Sequence, residues 1–222
     1  MRALLACAIF VISGFAQAGS WWTDGGVVAV RACDKDGICF GGAGVVIAYS
    51  PLTEKGVFLT AWHTLKRPDV GCEYGIGLKD PVWNKCDVIS VVESLDIALV
   101  SVVDERPLPQ PQIIRDPAVL EKGEPVLLVG YPGTGWLRRT MKARFWYLSQ
   151  EKGVVVETIE PVGTLEELRG FSGGPMITRG RLLAIITEAG LTPSRRAVFV
   201  GPAISDILHT KPEPLIGNAL RP

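Results

Sequence analysis

Ser172 lies in Gly170-Phe171-Ser172-Gly173-Gly174-Pro175, where glycines permit a tight turn with no side chain in the way. A serine hydroxyl raised on such a turn can attack a carbonyl carbon. The backbone N–H groups of Gly170 and Ser172 would then face the oxygen that becomes negative, and losing one such donor costs about 3 to 4 kcal/mol of transition-state stabilisation. A Gly-rich hairpin carrying an ordinary surface serine has the same local sequence, so the motif alone leaves the two readings evenly matched. Serine also needs a base, and the chain contains two histidines, His63 and His209. His63 closes Thr60-Ala61-Trp62-His63 just after the apolar stretch from Gly56 to Leu59, a position that a strand end can hold rigidly. His209 stands beside Leu208, Thr210 and Lys211, where a solvated helix end explains it. Asp96 immediately precedes Ile97-Ala98-Leu99-Val100, a run expected to be buried. An unpaired carboxylate there is costly, and an imidazole N–H is a partner that would fix the histidine tautomer and stabilise its cation. A capping Asp at a strand start is the ordinary alternative.

These groups need a rigid frame, and the rest of the chain reads as strands. Gly and Pro recur at short intervals between β-branched apolar runs. In the first half the runs are Val27 to Arg31, Ala43 to Ala48, Gly56 to Thr60, Tyr74 to Leu78, Val88 to Val92 and Ile97 to Val102. The second half has Val126 to Gly130, Met141 to Ser149, Val154 to Ile159, Pro175 to Thr178, Leu182 to Thr187 and Ala197 to Val200. Between them, Asp104 to Pro111 holds three prolines, which suits an extended crossing segment. Two closed modules joined there would leave a cleft along their seam. Pro202 to His209 reads as a short closing helix.

Arg2, the apolar run Ala3 to Phe15 and Ala16-Gln17-Ala18 have the layout of a cleavable export signal, so the mature chain is expected to start at Gly19. The apolar run is shorter than the ~20 residues that a membrane span requires, and no later segment is long and apolar enough to provide one. The 23 Lys and Arg balance 23 Asp and Glu, and removing Arg2 leaves the chain one unit negative. Nothing in this balance suggests a nucleic-acid partner. Cys7 leaves with the signal, and Cys33, Cys39, Cys72 and Cys86 remain. An even count after export suggests two disulfides. Of three possible pairings, Cys33 with Cys39 and Cys72 with Cys86 is favoured, because each pair flanks a short hairpin-like segment. The spacings, with no histidine close by, fit a metal poorly, and no metal or cofactor is expected.

Taken together, the order His63, Asp96, Ser172 and the strings Thr-Ala-x-His, Asp-Ile-Ala-Leu and Gly-x-Ser-Gly-Gly-Pro resemble the chymotrypsin/trypsin-like serine peptidases. The resemblance extends over most of the mature chain and is closest to compact bacterial members and the HtrA/Deg protease domain. Val129-Gly130-Tyr131-Pro132-Gly133 also looks like a Gly-x-Pro turn of that group. The resemblance implies an all-β fold of two antiparallel six-stranded β-barrels packed side by side, with a short C-terminal helix. Residues 1–18 would be the signal peptide, 19–107 the barrel bearing His63 and Asp96, and 108–222 the barrel bearing Ser172 and the helix. It implies peptide-bond hydrolysis through an acyl-enzyme, with Gly170 and Ser172 as the oxyanion hole. Thr187 would support the carboxylate, and Thr187, Glu188 and Ala189 would align an extended substrate by backbone pairing. Glu166 would border the pocket for the residue before the scissile bond and favour basic side chains, whereas Arg195 or Arg196 would favour acidic ones. Phe171 replaces the Asp that pancreatic-type enzymes pair with a newly cut N-terminus, so competence without a further cut is expected. The lack of a PDZ segment after the catalytic module points to a stand-alone monomer. The expected partner is a protein or peptide substrate, the expected location secreted or periplasmic after cleavage near Ala18. A protease-like binding protein that no longer cleaves is the alternative.

Overall fold

Val27–Cys33 reads Val-Val-Ala-Val-Arg-Ala-Cys, and its first four residues are buried although alternate side chains point to opposite faces. Both faces of this strand are therefore covered. The computed structural model describes residues 21, 26–66, 71–77, 81–104, 106, 108–111, 113, 116–133 and 136–210. The expected signal at 1–18 lies outside them. β1 (Val27–Cys33), β2 (Cys39–Ser50), β3 (Lys55–Ala61), β4 (Cys72–Ile76), β5 (Val82–Val92) and β6 (Ile97–Val103) form a closed barrel in the order β1-β2-β3-β6-β5-β4. β4 pairs back to β1, which removes open edges. One set of alternating residues, including Val28, Val30, Val46, Phe58, Tyr74, Ala98 and Val100, packs into the barrel interior. The other set, including Val27, Ala29, Val45, Leu59 and Leu99, faces the second half of the molecule.

Both disulfides pair as expected, Cys33 with Cys39 and Cys72 with Cys86. Each joins residues directly opposite in an antiparallel register. Spans of 6 and 14 residues correspond to about 2 to 3 kcal/mol each on the chain-entropy account.

The second half supplies β7 (Pro125–Gly130), β8 (Arg139–Ser149), β9 (Gly153–Pro161), β10 (Pro175–Thr178), β11 (Arg181–Ile185), β12 (Glu188–Leu191) and β13 (Arg196–Gly201). They form a curled sheet in the order β11-β10-β7-β8-β9-β13-β12. The double-barrel architecture thus holds, with seven strands in a half-barrel in place of the second six-stranded ring. The additional strand arises because the expected run Leu182 to Thr187 bends. β11 pairs with β10, and past Ile186 and Thr187 the chain joins β13 as β12. β12 is mostly solvent-facing, so Glu188-Ala189-Gly190-Leu191 has no apolar alternation by which it could be read. The Ile185 N–H donates to the Pro202 carbonyl at 3.3 Å, which draws the end of β11 toward the chain leaving β13.

The helix α1 (Ile204–Thr210) follows as expected. Ile204 and Ile207 are buried in one cluster with Val27, Ala29, Leu59 and Leu99 of the barrel and Val129, Tyr131 and Ile185 of the sheet. The seam is itself a hydrophobic core.

The chain leaves the barrel at Asp104, a buried carboxylate whose partners are all specified. Arg106 donates to it from Nε and Nη2, each at 2.8 Å, and from its backbone N–H at 2.9 Å. The Tyr74 hydroxyl lies 3.0 Å from the second carboxylate oxygen. Burial by itself would raise the Asp104 pKa, but the Arg106 hydrogen bonds, the Tyr74 hydroxyl and the Arg106 charge hold it below the usual carboxylate range. A depressed folded-state pKa contributes stability above the unfolded value and loses it as pH falls through the folded one. Asp104→Asn should therefore destabilise the protein by about 1 to 3 kcal/mol near neutrality. In urea denaturation the gap to the wild type should close as pH is lowered from about 5 toward 2. A gap that stayed constant over that range would show that the ionised carboxylate contributes nothing.

Candidate active site

β3 and β6 are antiparallel neighbours with Ala61 opposite Ile97, so the residues just beyond their paired ends meet. His63 lies in the 3-10 turn Trp62–Thr64 after β3, and Asp96 ends the turn Glu93–Leu95 before β6. His63 Nδ1 is hydrogen-bonded to Asp96 Oδ2, and the His63 backbone N–H donates to Asp96 Oδ1 at 2.8 Å. The Trp62 N–H donates to the Asp96 carbonyl at 2.8 Å. This bracket holds both the ring and the backbone of the histidine. Asp96 adopts a left-handed conformation, φ 54° and ψ 42°, which Asp tolerates better than most residues. Its side chain is 33 % exposed, so Asp96 does not share the full burial of the β6 residues that follow. The turn leads the carboxylate out of the core toward His63.

Ser172 sits on the loop between the 3-10 turn Leu165–Leu168 and β10. Gly170 and Gly173 take φ of +94° and +81°. The loop is clamped on both sides. The Gly173 N–H donates to the Ile186 carbonyl at 2.7 Å and the Ile186 N–H to Gly174 at 2.9 Å. From the barrel, the Ala43 N–H donates to the Ser172 carbonyl at 2.8 Å. The approach is close enough that a Cβ on Gly42 would fall 2.2 Å from the Ser172 carbonyl oxygen, and one on Gly173 would fall 2.1 Å from that of Ala43. Phe171 is buried and packs against Phe199 with ring centroids 5.5 Å apart. An apolar anchor therefore holds the loop beside Ser172.

Ser172, His63, Gly170, Thr64 and Tyr131 line one cleft of about 660 Å³ on the seam. Among the described residues none accepts a hydrogen bond from the N–H of Gly170 or of Ser172. Ser172 Oγ is not hydrogen-bonded to His63, a contact that often tightens only when substrate binds. Tyr131 ties this region to the barrel. Its N–H donates to Gly170 at 2.9 Å, and its hydroxyl lies 2.9 Å from the Gly77 carbonyl and 3.2 Å from that of Val27. Burial pushes its pKa up to about 12, so the phenol keeps its proton.

The remaining expected residues are distributed around this centre. Thr187 shares a polar cavity of about 150 Å³ with Asp96, but its hydroxyl bonds the Val200 carbonyl at 3.4 Å instead of the carboxylate. Glu188 is ion-paired with Lys152 at 2.6 Å. Ala189 lies on β12, which among the described residues pairs with β13 alone and so presents an open edge. Glu166 reaches the cleft together with Arg169, its ion-pair partner at 3.0 Å. Arg195 and Arg196 do not line the cleft, and Arg196 is paired with Glu157. Phe40, Gly41, Gly42 and Trp136 belong to the site region and were not legible from motif strings. The Gly41-Gly42 pair inside an apolar strand was the available clue to a close backbone approach. Among the described residues no group of three or more His, Cys, Asp or Glu side chains is arranged to hold a metal.

A family model for the trypsin-like peptidase domain matches residues 42–185, well over half of the chain. The chain belongs to the trypsin-like peptidase family. Solved structures of similar fold include the active form of the Rv3671c protease from M. tuberculosis, at 22% identity and TM-score 0.62, covering 81% of this chain and 77% of that one. A serine endoprotease from Yersinia pestis gives 20% and 0.63, covering 89% of this chain and 64% of its own. The HtrA-type protease AlgW, solved with a tripeptide, gives 17% and 0.64, with 84% and 58% covered. No curated protein matches. At these identities the neighbours support the trypsin-like fold.

The clamp of β2 on the Ser172 loop gives a direct test. Gly42→Ala should push the Ser172 carbonyl away and slow acylation by a fluorophosphonate probe roughly a hundredfold. Gly71→Ala, where an added Cβ meets nothing within 4 Å, should react as the wild type. Equal labelling rates for both variants would mean that the clamp does not position Ser172.

Proposed function

We propose that this chain is an exported trypsin-like serine endopeptidase that hydrolyses peptide bonds through Ser172, His63 and Asp96. The observation that carries the proposal is the His63–Asp96 pair, held across the ends of β3 and β6, with its histidine on the same cleft as Ser172. Asp96 accepts from Nδ1, which leaves Nε2 to take the Ser172 proton. The Ser172 oxygen attacks the scissile carbonyl, and the Gly170 and Ser172 N–H groups receive the oxyanion. As the C–N bond breaks, the histidine returns its proton to the leaving amine. Water then repeats the sequence on the acyl-enzyme and releases the acid.

An extended substrate would add to the free edge of β12, donating and accepting through the backbone beside Glu188 and Ala189. The Glu166–Arg169 pair at the cleft nearly cancels in charge, which argues against a strong choice between acidic and basic side chains there.

The same reading assigns the mature chain to residues 19–222, with the barrel bearing His63 and Asp96 before residue 107 and the half bearing Ser172 after it. The two disulfides accord with a location outside the cytoplasm. The buried Phe171 ring accounts for a nucleophile loop that is ordered without a newly cut chain terminus, so the form starting at Gly19 should be competent as it stands.

The mature protein should react with a fluorophosphonate probe, whereas Ser172→Ala and His63→Ala should not. No labelling, or equal labelling of wild type and Ser172→Ala, would leave a non-cleaving binding protein as the reading.

A further inference from the structure

β8 runs through the middle of the second sheet, between β7 and β9. Its residues Ala143 and Phe145 are buried in the second core, whereas Lys142, Arg144 and Trp146, which alternate with them, are exposed. Alternate residues of a strand share a face, so these three stand at intervals of about 7 Å on the side away from that core. The register shifts after Phe145: Phe145 lies opposite Val156 and Tyr147 opposite Val155. Trp146 is thus the extra residue of a β-bulge, and the bulge brings the Tyr147 ring beside its own, edge to face with centroids 5.4 Å apart. Trp146 is 37 % exposed, Tyr147 48 % and Leu148 42 %. No other stretch of the described residues leaves three large aromatic or aliphatic side chains exposed in succession.

The charges on this face do not cancel. Glu157 lies opposite Arg144, but its carboxylate is paired with Arg196 at 3.4 Å. Among the described residues neither Lys142 nor Arg144 has an ion-pair partner. Two free cations therefore stand in line with a Trp-Tyr pair. Rings of this type suit a boundary at which one end is apolar and the other wet, and each basic residue beside an anionic lipid surface adds attraction. The two rings expose on the order of 200 Å². That is far less than the roughly 800 Å² per partner that a stable protein interface buries, whereas shallow seating among lipid headgroups needs no matching surface. We propose that Lys142, Arg144, Trp146 and Tyr147 form a peripheral seat for an anionic phospholipid surface, with the rings among the headgroups and the two cations over the phosphates. The seat is reversible, and it does not depend on the chemistry of Ser172.

Co-sedimentation of the mature protein with sucrose-loaded vesicles would test it. Vesicles of phosphatidylglycerol and phosphatidylcholine should carry the protein down at low ionic strength and release it as salt is added, whereas vesicles of phosphatidylcholine alone should leave it in solution. Lys142→Gln and Arg144→Gln should each lower partitioning about fivefold, and Trp146→Ala about tenfold. Trp146→Phe should keep most of the binding, which separates loss of an aromatic ring from loss of the fold. Lys85→Gln, an exposed site on the first barrel, should behave as the wild type. Absence of sedimentation with the anionic vesicles, equal binding to both vesicle types, or binding unchanged in Lys142→Gln and Arg144→Gln would overturn the seat. Self-association that Trp146→Ala abolishes, without vesicle binding, would overturn it in favour of a contact between two copies. Probe labelling of Ser172 is a separate readout, so the peptidase reading and the lipid seat can fail independently.

Discussion

The close approach of β2 to the Ser172 loop is the contact on which the rest of the site depends. A backbone hydrogen bond from Ala43 to Ser172 crosses the seam, and side chains are absent where they would keep the two chains apart. Gly42 faces the Ser172 carbonyl, and Gly173 faces Ala43 and the Thr60 hydroxyl. That hydroxyl bonds the Ala43 carbonyl at 2.7 Å, so the β2 backbone at this point is saturated by both of its neighbours. Histidine and serine come from different sheets. Their relative position is set by this backbone contact and not by the flexible side chains themselves.

Around the clamp, apolar burial does what ionic pairs do elsewhere in the molecule. Phe171 fixes the Ser172 loop by entering the second core beside Phe199. A fully buried aromatic side chain contributes roughly 1.5 to 3 kcal/mol, without the desolvation penalty of a buried charge. Tyr131 adds direction, because its hydroxyl finds two barrel carbonyls while its backbone holds Gly170. α1 closes the seam through Ile204 and Ile207. The last described element thereby packs on the first barrel, and the two halves share the core at the seam.

The charged network at Asp104 is separate from this region. It ties Tyr74 in the barrel interior to Arg106 in the crossing segment, at the point where the chain stops being barrel. Ion pairs at the surface, such as Lys152 with Glu188 and Arg169 with Glu166, are more than half exposed on both partners. Pairs of this kind contribute little to stability, and their interest lies in the charge they present beside the cleft and β12.

Much of the architecture was legible in the chain alone. Alternating β-branched runs gave most of the strands, because a pleated strand buried on one or both faces must carry that pattern. The cysteines flanking short hairpins gave both disulfides, and the ordered motifs around His63, Asp96 and Ser172 gave the family. β12 escaped because a strand exposed along most of its length has no alternation to read. Tertiary structure alone decided which distant residues touch: Ala43 on Ser172, Trp136 on Gly41, Tyr131 on Val27 and Gly77, and Thr187 on Val200 in place of Asp96. Those contacts depend on strand register and on how two curved sheets meet. A sequence carries local periodicity along the chain, whereas the distance between residues far apart in it is set only when the sheets pack.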